Sequence, residues 1–125
     1  MKIGIAGPIS TASVASLLRA QSGSVPVGRQ GAPLLGTLIT SLVERGHQVS
    51  AYTLDLDLPV TLTEPIMVDG TKGFRIYYGP YRRHSFRPNG WVRGRMMDFF
   101  AVERRFLRDA IKRDAPDVVH AHWAY

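Results

Sequence analysis

Two histidines stand two residues apart in Pro116-Asp-Val-Val-His120-Ala-His122-Trp, a short apolar run that reads as a β-strand. Period-two alternation points both imidazoles the same way, and His122 falls at the carboxyl end, where open α/β sheets bind ligands. A His-x-His pair could chelate a metal, but no third ligand stands nearby, because His47 closes a helix and His84 lies in a basic loop. No metal is expected. Imidazole can instead donate a hydrogen bond to a sugar hydroxyl or a phosphate, which makes His122 the functional candidate and leaves backbone satisfaction as the ordinary use of its companion.

Three other groups of residues could do chemistry. Residues 23–36 carry glycines ahead of a helix start, where backbone N–H groups can approach an anion and the helix dipole favours negative charge. The stretch Gly28-Arg-Gln-Gly31-Ala32 is not the Gly-x-Gly-x-x-Gly dinucleotide fingerprint, and it lies about 20 residues too late after the first strand for a standard NAD cradle. Asp55 stands where a dinucleotide enzyme would hold a ribose, although an aspartate there is more often a turn residue. The set Arg82, Arg83, Arg87, Arg93 and Arg95, interleaved with Tyr81, Phe86 and Trp91, could meet a lipid headgroup, a phosphorylated acceptor or a nucleic-acid backbone.

The elements that must position these residues follow from patterning. Residues 2–7 form a compact apolar run stopped by Gly7-Pro8, a buried parallel strand. A helical turn or two is expected over residues 11–18. Pro33 opens a helix whose Leu34, Leu35, Leu38, Ile39, Leu42 and Val43 make one apolar face, with Gly46 as a left-handed cap. Residues 49–54 read as a second strand, so the first 54 residues contain a βαβ unit with parallel strands. An extended piece is expected at 66–68, a third strand at 74–78, and a long amphipathic helix over 91–113 ended by Pro116. A fourth strand over 117–123 finishes the pattern. Its edge and one face would be uncovered, so the chain is expected to be a fragment that packs against more polypeptide or a partner.

Composition bounds the class. The chain has 125 residues, 45% hydrophobic and 21% charged, which suits one globular α/β domain. It has no cysteine, which excludes a disulfide scaffold, a thiol nucleophile and a Cys-ligated zinc. Residues 1–70 hold 4 basic and 5 acidic side chains, whereas residues 71–125 hold 12 and 5. The whole excess of +6 therefore sits in the second half and implies an anionic partner. No apolar run is long enough to span a bilayer, so a cytoplasmic location is expected, with peripheral contact at the inner face of a membrane allowed.

Taken in order, Lys-Ile-Gly-Ile-Ala-Gly-Pro, the glycine loop, Leu42-x-x-Arg-Gly-His-x-Val49 and Pro116-Asp-Val-Val-His-Ala-His122 resemble the amino-terminal domain of family 4, GT-B fold, retaining glycosyltransferases. The resemblance covers the whole chain. It implies a Rossmann-like parallel sheet with flanking helices over residues 1–125, an acceptor-side half whose nucleotide-sugar-binding carboxyl-terminal domain lies outside this sequence. It implies sugar transfer from a nucleotide-sugar donor to an unknown acceptor, without a metal or resident cofactor, and the basic second half is where an anionic acceptor or a membrane surface is expected to approach. By the resemblance the donor diphosphate approaches Gly28, Gly31 and Ala32, with Gly31 the best placed, although this chain has Gln30-Gly31-Ala32 where the family carries an adjacent Gly-Gly pair. The histidine beside the transferred sugar maps to His122, with His120 as the second choice. An acceptor or anionic surface is expected at Arg82, Arg83, Arg87 and Trp91. The family's Glu-x7-Glu carboxylates belong to the absent domain, so these 125 residues are expected to be inactive alone. Two other readings stay open: a nucleotide-dependent oxidoreductase using Asp55 and the first loop, and a non-enzymatic basic module binding nucleic acid or anionic lipid.

Overall fold

The computed structural model describes residues 1–18, 25–29, 32–83, 86–88 and 90–122. Five strands form one sheet: β1 (Lys2–Ala6), β2 (Gln48–Asp55), β3 (Ile66–Asp69), β4 (Phe74–Pro80) and β5 (Val118–Ala121). Their order is β3-β4-β2-β1-β5, parallel except for the β3–β4 pair. Two helices, α1 (Pro33–Glu44) and α2 (Ala101–Asp114), and a 3₁₀ helix over Thr11–Leu17 flank it. The chain is thus an α/β fold with a mostly parallel sheet, and β2, at its centre, is buried from Val49 to Asp55 because layers cover both faces.

Alternation along β1 assigns the layers. Ile5 joins Ile9, Val14, Leu35, Ile39, Val43, Val49, Ala51 and Ile76 in the core under α1 and the 3₁₀ helix. Ala6 points the other way, to Tyr52, Tyr77 and Ala110 under α2. Glycine lets each layer pack closely. A Cβ on Gly36 would lie 2.7 Å from Ser13 Cβ, where α1 meets the 3₁₀ helix, and one on Gly79 would lie 2.7 Å from Phe106 Cβ, where α2 crosses β4. The end of α1 is the expected left-handed cap: Gly46 has φ +89°, with N–H bonds from Gly46 to Val43 O and from His47 to Leu42 O.

The second helix is shorter than periodicity predicts. Residues 91–100 form turns, and α2 begins only at Ala101, because Phe99 and Phe100 take left-handed backbone angles (φ 55° and 60°) that a continuous helix forbids. Phe99, assigned by spacing to the apolar face, is 77% exposed. Side-chain pairing overrides local periodicity here: Asp98 accepts the Ala101 N–H and two bonds from Arg82, while Glu103 one turn later holds the same arginine.

Two clusters fasten α2. At its carboxyl end Asp114, buried, accepts the hydroxyls of Tyr52 at 2.6 Å and Tyr77 at 3.3 Å and pairs with Lys2 at 3.2 Å. At its start lies the arginine just described. β5 is exposed along all four residues, with Val118 at 48% and Val119 at 39%, which is the uncovered edge the pattern implied. Among the described residues no helix is long and apolar enough to cross a membrane.

Candidate functional site

Reading the parallel strands alone, β2 and β5 lie on opposite sides of β1, although the chain visits β5 last. Such a reversal of strand order opens a crevice at the carboxyl ends of the strands, the usual ligand position in open α/β sheets. His122 sits there. Its N–H donates to Ala6 O at 2.7 Å, which extends the β1–β5 ladder one step past Ala121 and ties the residue to the sheet. His120 registers against Ile5, whose side chain packs toward α1, and period two carries His122 to that same face.

A cavity of about 420 Å³ opens between His122 and the first turns of α1, lined by Ala32, Pro33, Leu34, Leu35, Leu38 and His122. Among the described residues that line it, His122 is the one titratable group. Of the two expected histidines, His122 lines this cavity, whereas His120 is exposed on the edge strand and does not. Patterning had put Leu34 and Leu38 in the core face of α1. They are instead 79% and 37% exposed, and turn toward this cavity. The signal for this was present, because leucines at 34, 35 and 38 make a stripe wider than one buried face needs.

The start of α1 lies against the cavity without a side-chain cap, and Pro33 occupies its first turn. The positive end of the helix dipole therefore lies here, although Pro33 carries no N–H and the Leu35 N–H already donates to Ala32 O at 3.0 Å. Gly7 makes the approach of β5 possible. A Cβ at this position would fall 2.5 Å from His122 O and 2.9 Å from Leu35 Cδ1. Gly7→Ala should cost about 1–3 kcal/mol by overpacking and loosen the His122 N–H bond. Hydrogen exchange should then report lost protection at the His122 amide with the centre of β2 still protected; unchanged protection at His122 would contradict this placement.

The remaining candidates distribute differently. Gly28 takes φ +80° and gives its N–H to Asp55 Oδ2 at 2.9 Å, so that donor already has a partner. Asp55 is 3% exposed, and its other oxygen accepts the Asp57 N–H at 2.8 Å. Its carboxylate holds two loops together instead of facing a ribose. Bonds from Thr11 N to Val27 O and from Arg29 N to Ile9 O press residues 26–29 against the turn after β1. Ala32 lines the cavity; Gly31 lies outside the described residues, as does His84.

Arg82 is a correction. Instead of presenting charge to an anionic ligand it is 4% exposed, and its guanidinium is saturated: two bonds to Asp98 (2.6 and 2.8 Å), two to Glu103 (2.8 and 3.1 Å) and one to Arg93 O (3.3 Å). The Arg82 N–H also donates to Glu103 at 2.9 Å. Arg82 lies above its already high ordinary value, chiefly through the bond to Asp98, and Asp98 is held below the usual carboxylate range by the same bond. Asp98 and Glu103 had no role in the sequence reading. Arg83, Arg87 and Trp91 are exposed, with Arg83 pairing with Asp57 at 3.1 Å.

Comparison of the chain with protein-family models, with curated proteins and with solved structures found no match.

Proposed function

We propose that the chain is the acceptor-side, Rossmann-like half of a GT-B fold, retaining glycosyltransferase. The observation that carries the reading is His122, fixed at the carboxyl end of β5 beside β1 and facing a 420 Å³ cavity at the uncapped start of α1. In this reading the imidazole donates a hydrogen bond to a hydroxyl of the transferred sugar, and the positive end of the α1 dipole faces the donor diphosphate. The bond from the anomeric carbon to the diphosphate oxygen breaks, and the bond to the acceptor oxygen forms on the same face. The acceptor's proton leaves with the diphosphate. Leu34, Leu38 and the exposed edge of β5 form the wall that a donor-binding domain would close over, excluding water from the reacting carbon. The oxidoreductase reading loses its ribose ligand, because Asp55 is buried and already bonded to two backbone amides.

The chain alone is expected to release no nucleotide from a panel of nucleotide-sugars above the buffer rate. In a polypeptide that joins residues 1–125 to a donor-binding domain, His122→Ala should lower kcat about 10²–10³-fold, the usual cost of one donor aimed at the reacting centre. Turnover by the isolated chain would sink the half-enzyme reading. A variant with unaltered kcat would sink the role given to His122.

A further inference from the structure

The segment after β4 has a surface that the sugar-transfer reading does not use. Residues 81–108 contain eight arginines and only two acids, Asp98 and Glu103. Both acids turn inward onto Arg82. The segment's outer surface is thereby left with Arg83, Arg87, Arg93, Arg104, Arg105 and Arg108, all exposed; Arg83 pairs with Asp57, and Arg93 acts through its charge on Asp98.

Large apolar side chains project among these charges. Trp91 is 103% exposed, Phe99 77%, Phe86 75% and Met97 47%. The Arg82 hub gathers them. Arg82 bonds to Arg93 O and Asp98, so Phe86, Trp91, Met97 and Phe99 all lie within four residues of a group that touches its guanidinium or of Arg82 itself. Arg104 Nε donates to the Phe99 backbone carbonyl at 2.8 Å, which ties a further cation to the same turn. Exposed aromatic rings clustered with cations are uncommon on a surface that faces only water. The hub lies just past the carboxyl end of β4, at the same end of the parallel strands as His122. Three strand spacings separate them, about 14 Å.

We propose that this arginine and aromatic surface is a membrane-docking face for anionic phospholipid. The rings would enter the boundary between headgroups and acyl chains while the arginines pair with lipid phosphates. Charge complementarity carries the choice of a negative surface, and the exposure of the rings carries the choice of lipid over nucleic acid: single-stranded binders lay bases on aromatic platforms within a basic groove, whereas Trp91 and Phe86 project outward at 103% and 75% exposure. Docking here would bring the sheet edge that bears the His122 cavity close to the bilayer. The proposal stands on the surface alone and survives if the transferase reading fails.

The test uses the whole chain with Trp123→Phe, which leaves Trp91 as the sole tryptophan. Vesicles of phosphatidylcholine, alone or mixed with phosphatidylglycerol, are sedimented with it and Trp91 emission is recorded. Binding to the mixed vesicles only, with a blue shift, is expected. Arg87→Gln should weaken partitioning about fivefold. In the original Trp123 chain, Trp91→Ser should weaken it about tenfold. Both side chains are exposed, and circular dichroism checks that the fold persists. Absence of binding to the mixed vesicles, or binding unaffected by either variant, overturns the proposal. So does tighter binding to a single-stranded oligonucleotide than to those vesicles, which would assign the patch to nucleic acid.

Discussion

Arg82→Met is expected to destabilise the fold by about 3–5 kcal/mol, the cost of leaving a buried charge without its partner. Glu103 is 1% exposed and takes three of the bonds that Arg82 makes, two from the guanidinium and one from the backbone. Methionine fills comparable volume but offers no donor, so the carboxylate would remain in a dry site. Asp98 would lose both its side-chain donors, and the turn that starts α2 would lose its anchor. A domain of this size has only about 5–15 kcal/mol of stability in total, so the variant should unfold at markedly lower urea. A second substitution separates charge burial from lost packing. Glu103→Gln removes the charge and keeps an acceptor for the Arg82 backbone N–H, so the double variant should recover part of the loss. A single variant within about 1 kcal/mol of the parent chain would show that the cluster is solvated, as surface pairs are.

Asp114→Ala is expected to cost about 2–4 kcal/mol, since it removes the acceptor of buried charge-assisted bonds at the other end of α2. The Tyr52 ring is wholly buried and would keep a hydroxyl with no acceptor in place of the 2.6 Å bond. The same carboxylate sets an acid limb. Burial pushes it up, but hydrogen bonds from Ser50, Tyr52 and Lys2 and the charge of Lys2 outweigh this and hold it below its ordinary 3.8. A carboxyl that ionises more readily in the folded chain stabilises it fully above the unfolded value. That stability is lost as pH falls through 3.8 toward the lower folded value. Asp98, lowered chiefly by its bond to Arg82, adds a limb of the same sign. Thermal melts should therefore fall steeply below about pH 4, and Asp114→Ala should flatten that fall. An equally steep fall in the variant would place the acid sensitivity elsewhere.

Much of the framework could be read without coordinates. Apolar runs at 2–7 and 49–54 became β1 (Lys2–Ala6) and β2, Pro33 and Gly46 bracket α1, and Ile66 to Val68 became an edge strand. These signals are local, set by residue type within a few positions. The long helix over 91–113 failed because its periodic positions included Phe99, whose backbone is left-handed. That conformation depends on Asp98 reaching Arg82, sixteen positions away, which no local period encodes.

The candidate site divides the same way. His122 at a strand end was legible, as was the helix start it faces. The choice between His122 and His120 needed the β1–β5 register and the position of α1, which decide which ring borders the cavity. The sequence by itself determined an α/β order of strands and helices, a basic second half and a histidine at the end of the final strand, because these rest on residue type and short-range spacing. Tertiary structure alone decided which arginine is buried and which face outward, since Arg82, Arg83 and Arg87 are chemically identical. Only the long-range position of Asp98 and Glu103 distinguishes a structural cation from those left at the surface.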